Sequence, residues 1–262
     1  MEGGIGLFRM ALPALVGLFF GTLVMLEIGR WAGARDRRRA GEGAGAGLGA
    51  VEGAVFGLLG LLLAFTFSGA ASRFDGRRDL IVQEANDIGT AYLRIDLLPA
   101  EAQPRLRELF REYVAARLSA YRLAGDTTAA LREVARATDL QADIWQQALV
   151  AAQAAPSPQA VMLVVPALNA MFDIATTRNM AVRAHPPVIV YLLLGMLVLI
   201  GALFAGYGMS VDATRRWLHT VGFALIMAAT VYIILDYEFP RLGMIRIDTF
   251  DQALVEVQNS MK

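Results

Sequence analysis

Cysteine is absent from this sequence, histidine occurs only as His185 and His219, and the single lysine is Lys262. The lack of cysteine excludes disulfides, thiolate metal sites and cysteine nucleophiles, and it leaves the redox compartment unreadable. Two histidines argue against a histidine-rich metal centre. Basic charge is almost wholly arginine, which reads as a compositional bias of the chain rather than a chemical signature. The 24 basic and 24 acidic residues cancel, so there is none of the positive excess expected of a nucleic-acid binder. Also missing are a nucleotide-binding glycine loop, a metalloprotease motif and a nucleophile elbow. No strand-like alternation of any length and no internal repeat is visible. Enzymatic chemistry has no foothold, and the reading is of a non-enzymatic chain with no metal and no cofactor.

What is present is apolar and clumped. Apolar residues make up 56% of the chain and charged ones 18%, against roughly 45–50% and 25% for a soluble domain. Mean hydropathy is +0.48. A hydrocarbon core of roughly 30 Å needs about 20 apolar residues as helix, and four blocks qualify: Met10 to Ile28, Gly49 to Ala71, Val188 to Met209 and Trp217 to Leu235. Trp31, Tyr191, Trp217 and Tyr237 stand where interfacial aromatic anchors belong. Ala32-Gly33-Ala34 mimics a signal-peptide cleavage site. The first block is long for such a signal, however, and Arg30 intervenes, so it is read as a span.

Some 115 residues between the second and third blocks read as helices. Ile81, Ala85, Ile88, Tyr92 and Ile95 follow a 4-3-4-3 spacing that ends before Pro99. Leu106, Leu109, Tyr113, Ala116, Ala120 and Leu123 form a second stripe, stopped by Gly125. Asp126 is the expected N-cap of a third, carrying Leu131, Val134, Thr138, Trp145 and Leu149. After the linker Ala154-Ala155-Pro156, Ser157-Pro158 opens a fourth. Its apolar run from Val161 to Phe172 is too short to span and is expected to be buried or interfacial. The fold expected is an all-α integral membrane protein. Hairpin 1 occupies residues 1–72, a helical extramembrane domain 73–187, hairpin 2 188–237, and a tail with a short helix 238–262.

Arginine counts in short loops set orientation. Arg30, Arg35, Arg37, Arg38 and Arg39 follow the first span, and Arg215 and Arg216 lie between the third and fourth. This places both loops in the cytoplasm of a bacterial inner membrane and the central domain outside it. Arg73, Arg77, Arg78, Arg178 and Arg183 crowd the opposite face and count against that assignment.

Span two carries the main candidates. Gly49, Gly53 and Gly57 recur at every fourth position, either to pack helices within the chain or to form an oligomer seam or pore wall. Glu52 sits on that glycine-rich face, an intramembrane acid and hence a candidate functional group, with Glu27 at similar depth. Either carboxylate could instead reach the headgroup layer. Leu62, Phe65, Thr66, Ser68 and Ser72 combine an apolar constriction with hydroxyls, a pattern suited to a gated ion path. In the alternative, the hydroxyls bond back to helix carbonyls and the phenylalanines face lipid. Beyond the span, Glu84, Asn86, Asp87, Arg94 and Asp96 are expected on a mostly solvated face, and Asp236 and Glu238 open a charged turn after span four.

The stretch LLGLLLAFTFSGAASRFDGRRDLIVQEANDIGTAYLRIDLLP and the closing DYEFPRLGMIRID resemble a bacterial bestrophin-like family of unknown function, over nearly the whole chain. The resemblance implies an oligomeric ion channel with span two lining the path, and its partners would be the bilayer, further copies of the chain and small ions. Two departures stand against it. A calcium-binding clasp is not matched onto Asp236 and Glu238, and bestrophins keep the central domain in the cytosol, opposite to the arginine count. The second expectation is a membrane-anchored sensor or scaffold that binds a partner with helices from Ile81 to Leu149.

Overall fold

The structure, a computed structural model, describes residues 2–40, 48–155, 157–211 and 217–261. Arg215, Arg216 and the linker's Pro156 lie outside the described residues. Eight α-helices follow in chain order: α1 (Glu2–Ala40), α2 (Leu48–Arg94), α3 (Gln103–Arg122), α4 (Thr127–Gln153), α5 (Pro158–Arg183), α6 (Val188–Gly208), α7 (Trp217–Glu238) and α8 (Gln252–Ser260). No strand occurs among the described residues. Four of the helices are long and apolar enough to cross a membrane. Helix is what a bilayer demands, because lipid offers no partner for a backbone N–H or C=O and each must be satisfied within its own segment.

The helix ends follow local chemistry. No proline interrupts α2, which runs for 47 residues in all without a break, well past residue 71. A short 3₁₀ turn at Ile95–Leu97 follows, and Leu98, directly before Pro99, is extended at φ −90° and ψ 160°, the conformation favoured for a residue preceding proline. The Asp126 carboxylate accepts a bond from the Ala129 amide at 3.0 Å and starts α4. Ser157 accepts one from Gln159 N at 3.2 Å, with Pro158 in the first turn of α5. Both caps satisfy amides that no intrahelical carbonyl can reach. At the other end of α5, Arg77 donates from Nε to the Ala181 carbonyl and from Nη2 to that of Ala184, each at 3.1 Å. A cation there also complements the negative end of the helix dipole.

The chain divides into two compact units. The first comprises Arg73–Ala184 and Phe239–Lys262, with the chain's first five residues. Its core runs through α2, α3, α4, α5 and α8, with Ile88, Phe110, Tyr113, Val114, Ile144, Met171 and Leu254 among its fully buried members. Burying each such large side chain contributes roughly 1.5–3 kcal/mol. The apolar run of α5 alternates between Val164, Ala167, Leu168 and Met171 in that core and exposed Met162 and Leu163. It is therefore an amphipathic helix of this unit.

The second unit comprises Gly6–Ser72 and His185–Glu238. Its interior holds Leu15 of α1, Leu59 and Ala70 of α2, Leu194, Leu197 and Val198 of α6, and Val231 and Ile234 of α7. Leu12, Val16, Phe20, Val24 and Ile28 form an exposed ridge at every fourth position of α1, the pattern of a face turned to lipid. Glycines of α1 and α6 make a close helix contact. A methyl group at Gly29 would collide with the backbone carbonyl of Leu203, one at Gly206 with that of Leu26, and one at Gly33 with Ser210 and the Tyr207 carbonyl. Backbone lies against backbone at these points. Gly49, Gly53 and Gly57, by contrast, have nothing within 4 Å of where a Cβ would stand. The glycines that pack helices within the chain are those of α1 and α6, and the α2 series is left open.

This contrast gives a direct test. Gly206→Ala should destabilise the protein in detergent by about 1–3 kcal/mol, as overpacking does, because the obstructing atoms are backbone and cannot swing aside. Gly57→Ala should leave the thermal midpoint unchanged or slightly raised. Equal shifts for the two variants would contradict the close contact of α1 with α6.

Candidate functional site

Within the second unit, the membrane part of α2 divides into an inner and an outer face. Leu59 and Ala70 are buried, and Leu62 packs beside them. Thr66 is half-buried, and its hydroxyl donates to the Leu62 carbonyl at 2.7 Å, with Leu63 O at 3.1 Å. That hydroxyl is engaged by its own helix. Phe65 is 67% exposed, Leu58 53% and Leu61 52%, and Ser68 and Ser72 are exposed as well. The open face therefore reads Leu58, Leu61, Phe65, Ser68, Ser72, a 3-4-3-4 spacing that sustains one helix stripe. Of the five lining candidates, Phe65, Ser68 and Ser72 lie on this stripe, whereas Leu62 and Thr66 turn toward the chain's own helices. Leu61, which the residue pattern did not single out, belongs to the stripe. Phe67 is also exposed and meets the Tyr237 ring edge-on at 5.6 Å between centroids.

Glu52 is half-buried. A methyl group at Gly208 would stand 3.9 Å from its Oε2, so this carboxylate lies near the end of α6. Asp236 and Glu238, at the end of α7, are both buried, and Glu238 Oε2 lies 3.1 Å from His185 Nδ1. The turn after span four thus begins with enclosed carboxylates rather than solvated ones.

The first unit contains a concentration of buried charge. Glu84 is fully enclosed, with Arg117 and Arg178 almost so; it is not on the solvated face that its neighbours in sequence suggested. Arg117 of α3 donates from Nε to Glu84 Oε1 at 2.6 Å, and Arg178 of α5 donates to Oε2. The Tyr121 hydroxyl donates to the same Oε2 at 3.0 Å while accepting from Arg117 Nη2. Arg117 also reaches Asn179 Oδ1 at 3.5 Å. The Tyr121 ring is a platform for three guanidinium groups, with Arg178 at 4.0 Å from its centroid and Arg117 and Arg241 each at 5.0 Å. Arg241 is gripped by both carboxylate oxygens of Asp251, at 2.7 and 2.9 Å, and reaches Asp248 at 3.1 Å. Asp251 in turn lies 3.9 Å from Arg178.

Two effects set the electrostatics of this cluster. Burial pushes the Tyr121 hydroxyl above the ordinary phenol range, and the Glu84 charge adds to the rise. Burial likewise lifts Tyr113, which accepts a bond from Gln141 Nε2 at 3.1 Å, to about 12. Both phenols therefore stay protonated at any physiological pH, and Tyr121 is a fixed donor to Glu84.

The other polar candidates are dispersed. Asn86 is exposed and Asp87 half-buried. Arg94 donates to the Leu163 carbonyl at 2.6 Å, and Asp96 pairs with Arg107 at 2.5 Å on the surface. Sequence reasoning missed Arg117, Tyr121 and Arg178 as partners of Glu84, and Arg241 and Asp251 as neighbours of that cluster. The only signal for Arg117 and Arg178 was arginine at positions where α3 and α5 otherwise bury apolar side chains.

These features define a helical membrane protein whose chain comprises an apolar helical unit and an extensively charged one. Residues 34–249 match the family model described as the Bestrophin-like domain, and the chain belongs to that family. No curated protein and no solved structure matches it.

The buried cluster predicts an asymmetry between charges. Glu84→Gln leaves two enclosed guanidinium groups without their carboxylate and should cost about 3–5 kcal/mol, the range for breaking a buried pair. Glu108→Gln removes the partner of Arg105 from a pair in which both side chains are 55% exposed, and should cost at most about 1 kcal/mol. Chemical denaturation of the full chain in micelles, followed by helical circular dichroism, separates the two. A Glu84→Gln variant as stable as Glu108→Gln would rule out the buried ion pairs.

Proposed function

We propose that the chain is an oligomeric ion channel or pore of the bacterial inner membrane, in which copies of α2 line the path. Its four spans would pair as two hairpins, separated in sequence by the helical extramembrane segment. The observation that carries this reading is the open α2 face: Leu58, Leu61, Phe65, Ser68 and Ser72 on one stripe and uncovered Gly49, Gly53 and Gly57, on a helix whose other side is packed by its own chain. Membership of the Bestrophin-like family supports it. An apolar constriction at Leu61 and Phe65 followed by the Ser68 and Ser72 hydroxyls is the arrangement in which a dewetting gate opens toward groups that solvate an ion. Thr66 is left out of the lining because its hydroxyl is bonded to its own helix. No catalytic role or cofactor is part of the proposal.

A second reading, a sensor or scaffold, is favoured by a groove between α4 and α5. It is a shallow, open depression of about 350 Å³ lined by Thr138, Gln141, Ala142, Trp145, Asn169 and Phe172. Its aromatic walls and uncharged polar rim suit a partner's side chains or a small ligand.

Three measurements test the proposal. In proteoliposomes the purified protein should pass chloride or a small cation, and Phe65→Ala should widen the constriction and raise the leak. Absence of flux from correctly assembled protein would move the assignment to the sensor or scaffold. Gly53→Leu should leave the monomer folded, since none of the described residues comes within 4 Å of a Cβ at that position, yet disperse the oligomer in light scattering. A monomeric wild type in mild detergent would end the oligomeric reading. For orientation, the arginines after span one place a reporter fused at Gly41 in the cytoplasm and one at Gly125 outside. The reverse result would give the bestrophin arrangement.

A further inference from the structure

The charge cluster of the first unit is assembled from two sources. The helices α2, α3 and α5 bring Glu84, Arg117 and Arg178, one carboxylate against two guanidinium groups that are all but enclosed. The C-terminal segment brings Arg241 with Asp248 and Asp251. Around the Tyr121 ring three guanidinium groups converge. The segment brings the third of them, Arg241, together with Asp251, the carboxylate that reaches both Arg241 and Arg178, while Asp248 is shared between Arg241 and Arg246. Arg178 is the shared cation, bonded to Glu84 and 3.9 Å from Asp251.

The apolar hold on the same segment is sparse. Between Arg241 and Met261 the buried apolar residues are Ile247, Leu254 and Met261. Over its 20 residues α3 buries Leu106, Leu109, Phe110, Tyr113, Val114, Ala116, Leu118 and Ala120. A segment with few buried apolar contacts opens at a lower free energy than the helices beneath it. A charged contact taken out of water, in turn, is lost steeply when one partner is neutralised.

We propose that the C-terminal segment from Arg241 to Met261 is a strap, closed on α3 and α5 by the charge of Asp251 and seated by Arg241 on the Tyr121 ring. Its docking is a separate equilibrium from the folding of α3 and α4. Loss of the Asp251 charge opens it, because Arg178 and Arg241 then face each other across Tyr121 without the carboxylate that serves both. The strap leaves directly from α7 in sequence, so its opening frees the chain that follows the fourth span. The inference does not depend on the channel reading.

Hydrogen–deuterium exchange with mass spectrometry on the full chain in micelles tests it. In Asp251→Asn, amides of residues 241–261 should exchange at least about tenfold faster than in the wild type, with those of α3 and α4 unchanged. Asp251→Glu, which keeps the charge, should retain most of the protection. Trypsin should cut at Arg241 and Arg246 faster in the asparagine variant than in the glutamate one. The proposal is overturned if the asparagine variant protects 241–261 as the wild type does, since its apolar contacts, Ile247, Leu254 and Met261 among them, then hold the segment. It is equally overturned if α3 and α4 lose protection together with the segment, or if that variant does not fold at all, since the segment is then part of the core and not a strap.

Discussion

Glu84 has no access to water, and much of the first unit is arranged around that fact. A carboxylate removed from solvent must find its counter-charges at hand. Here they come from two different helices, Arg117 on α3 and Arg178 on α5, with a hydrogen bond from Tyr121. The three elements can satisfy Glu84 only in one register, because a one-turn slip of α3 would move Arg117 by about 5.4 Å. An apolar core tolerates such slips far better. The cluster therefore specifies how α2, α3 and α5 meet, whatever its net contribution to stability.

A different constraint governs the apolar unit. Between spans the hydrophobic effect offers little, since lipid chains are as apolar as leucine, and packing has to hold the helices together. Small residues let backbones approach, and α1 and α6 exploit this at Gly29, Gly33 and Gly206, where even a methyl group has no room. The exposed ridge Leu12, Val16, Phe20, Val24 and Ile28 on α1 is the complement of that arrangement. It needs nothing from the rest of the chain because lipid covers it.

Patterns with a local cause were readable from the sequence. Apolar block length gave four helices able to span, and Asp126 and Ser157 announced their caps because capping needs only a side-chain oxygen and the next turn's amides. The stripe Ile81, Ala85, Ile88, Tyr92 and Ile95 is buried as its spacing indicates. Contacts between distant segments were not readable. Glu84 looked like its neighbours Asn86 and Asp87, and nothing local says that arginines 33 and 94 residues away will enclose it. Glycine spacing alone did not show which glycines pack within the chain, for a related reason. The regular series on α2 is conspicuous, yet the tight contact uses Gly29 and Gly206, whose significance exists only when α1 and α6 are side by side.

The open glycines of α2 then call for an account of their own. Lipid alone does not select glycine on an exposed face, since any apolar side chain would serve there, and glycine in a helix costs about 1 kcal/mol relative to alanine. Four such positions, Gly49, Gly53, Gly57 and Gly60, stand with nothing of their own chain within 4 Å. A contact in which a second backbone comes close would offset that cost. The same helix exposes Leu61 and Phe65 and then the hydroxyls of Ser68 and Ser72, a sequence of surfaces that lipid would not favour at its polar end. The proposed channel would satisfy both halves of the face, with copies of α2 packed through their glycines around an axis, the Phe65 ring at the narrowest point and the Ser68 and Ser72 hydroxyls facing water.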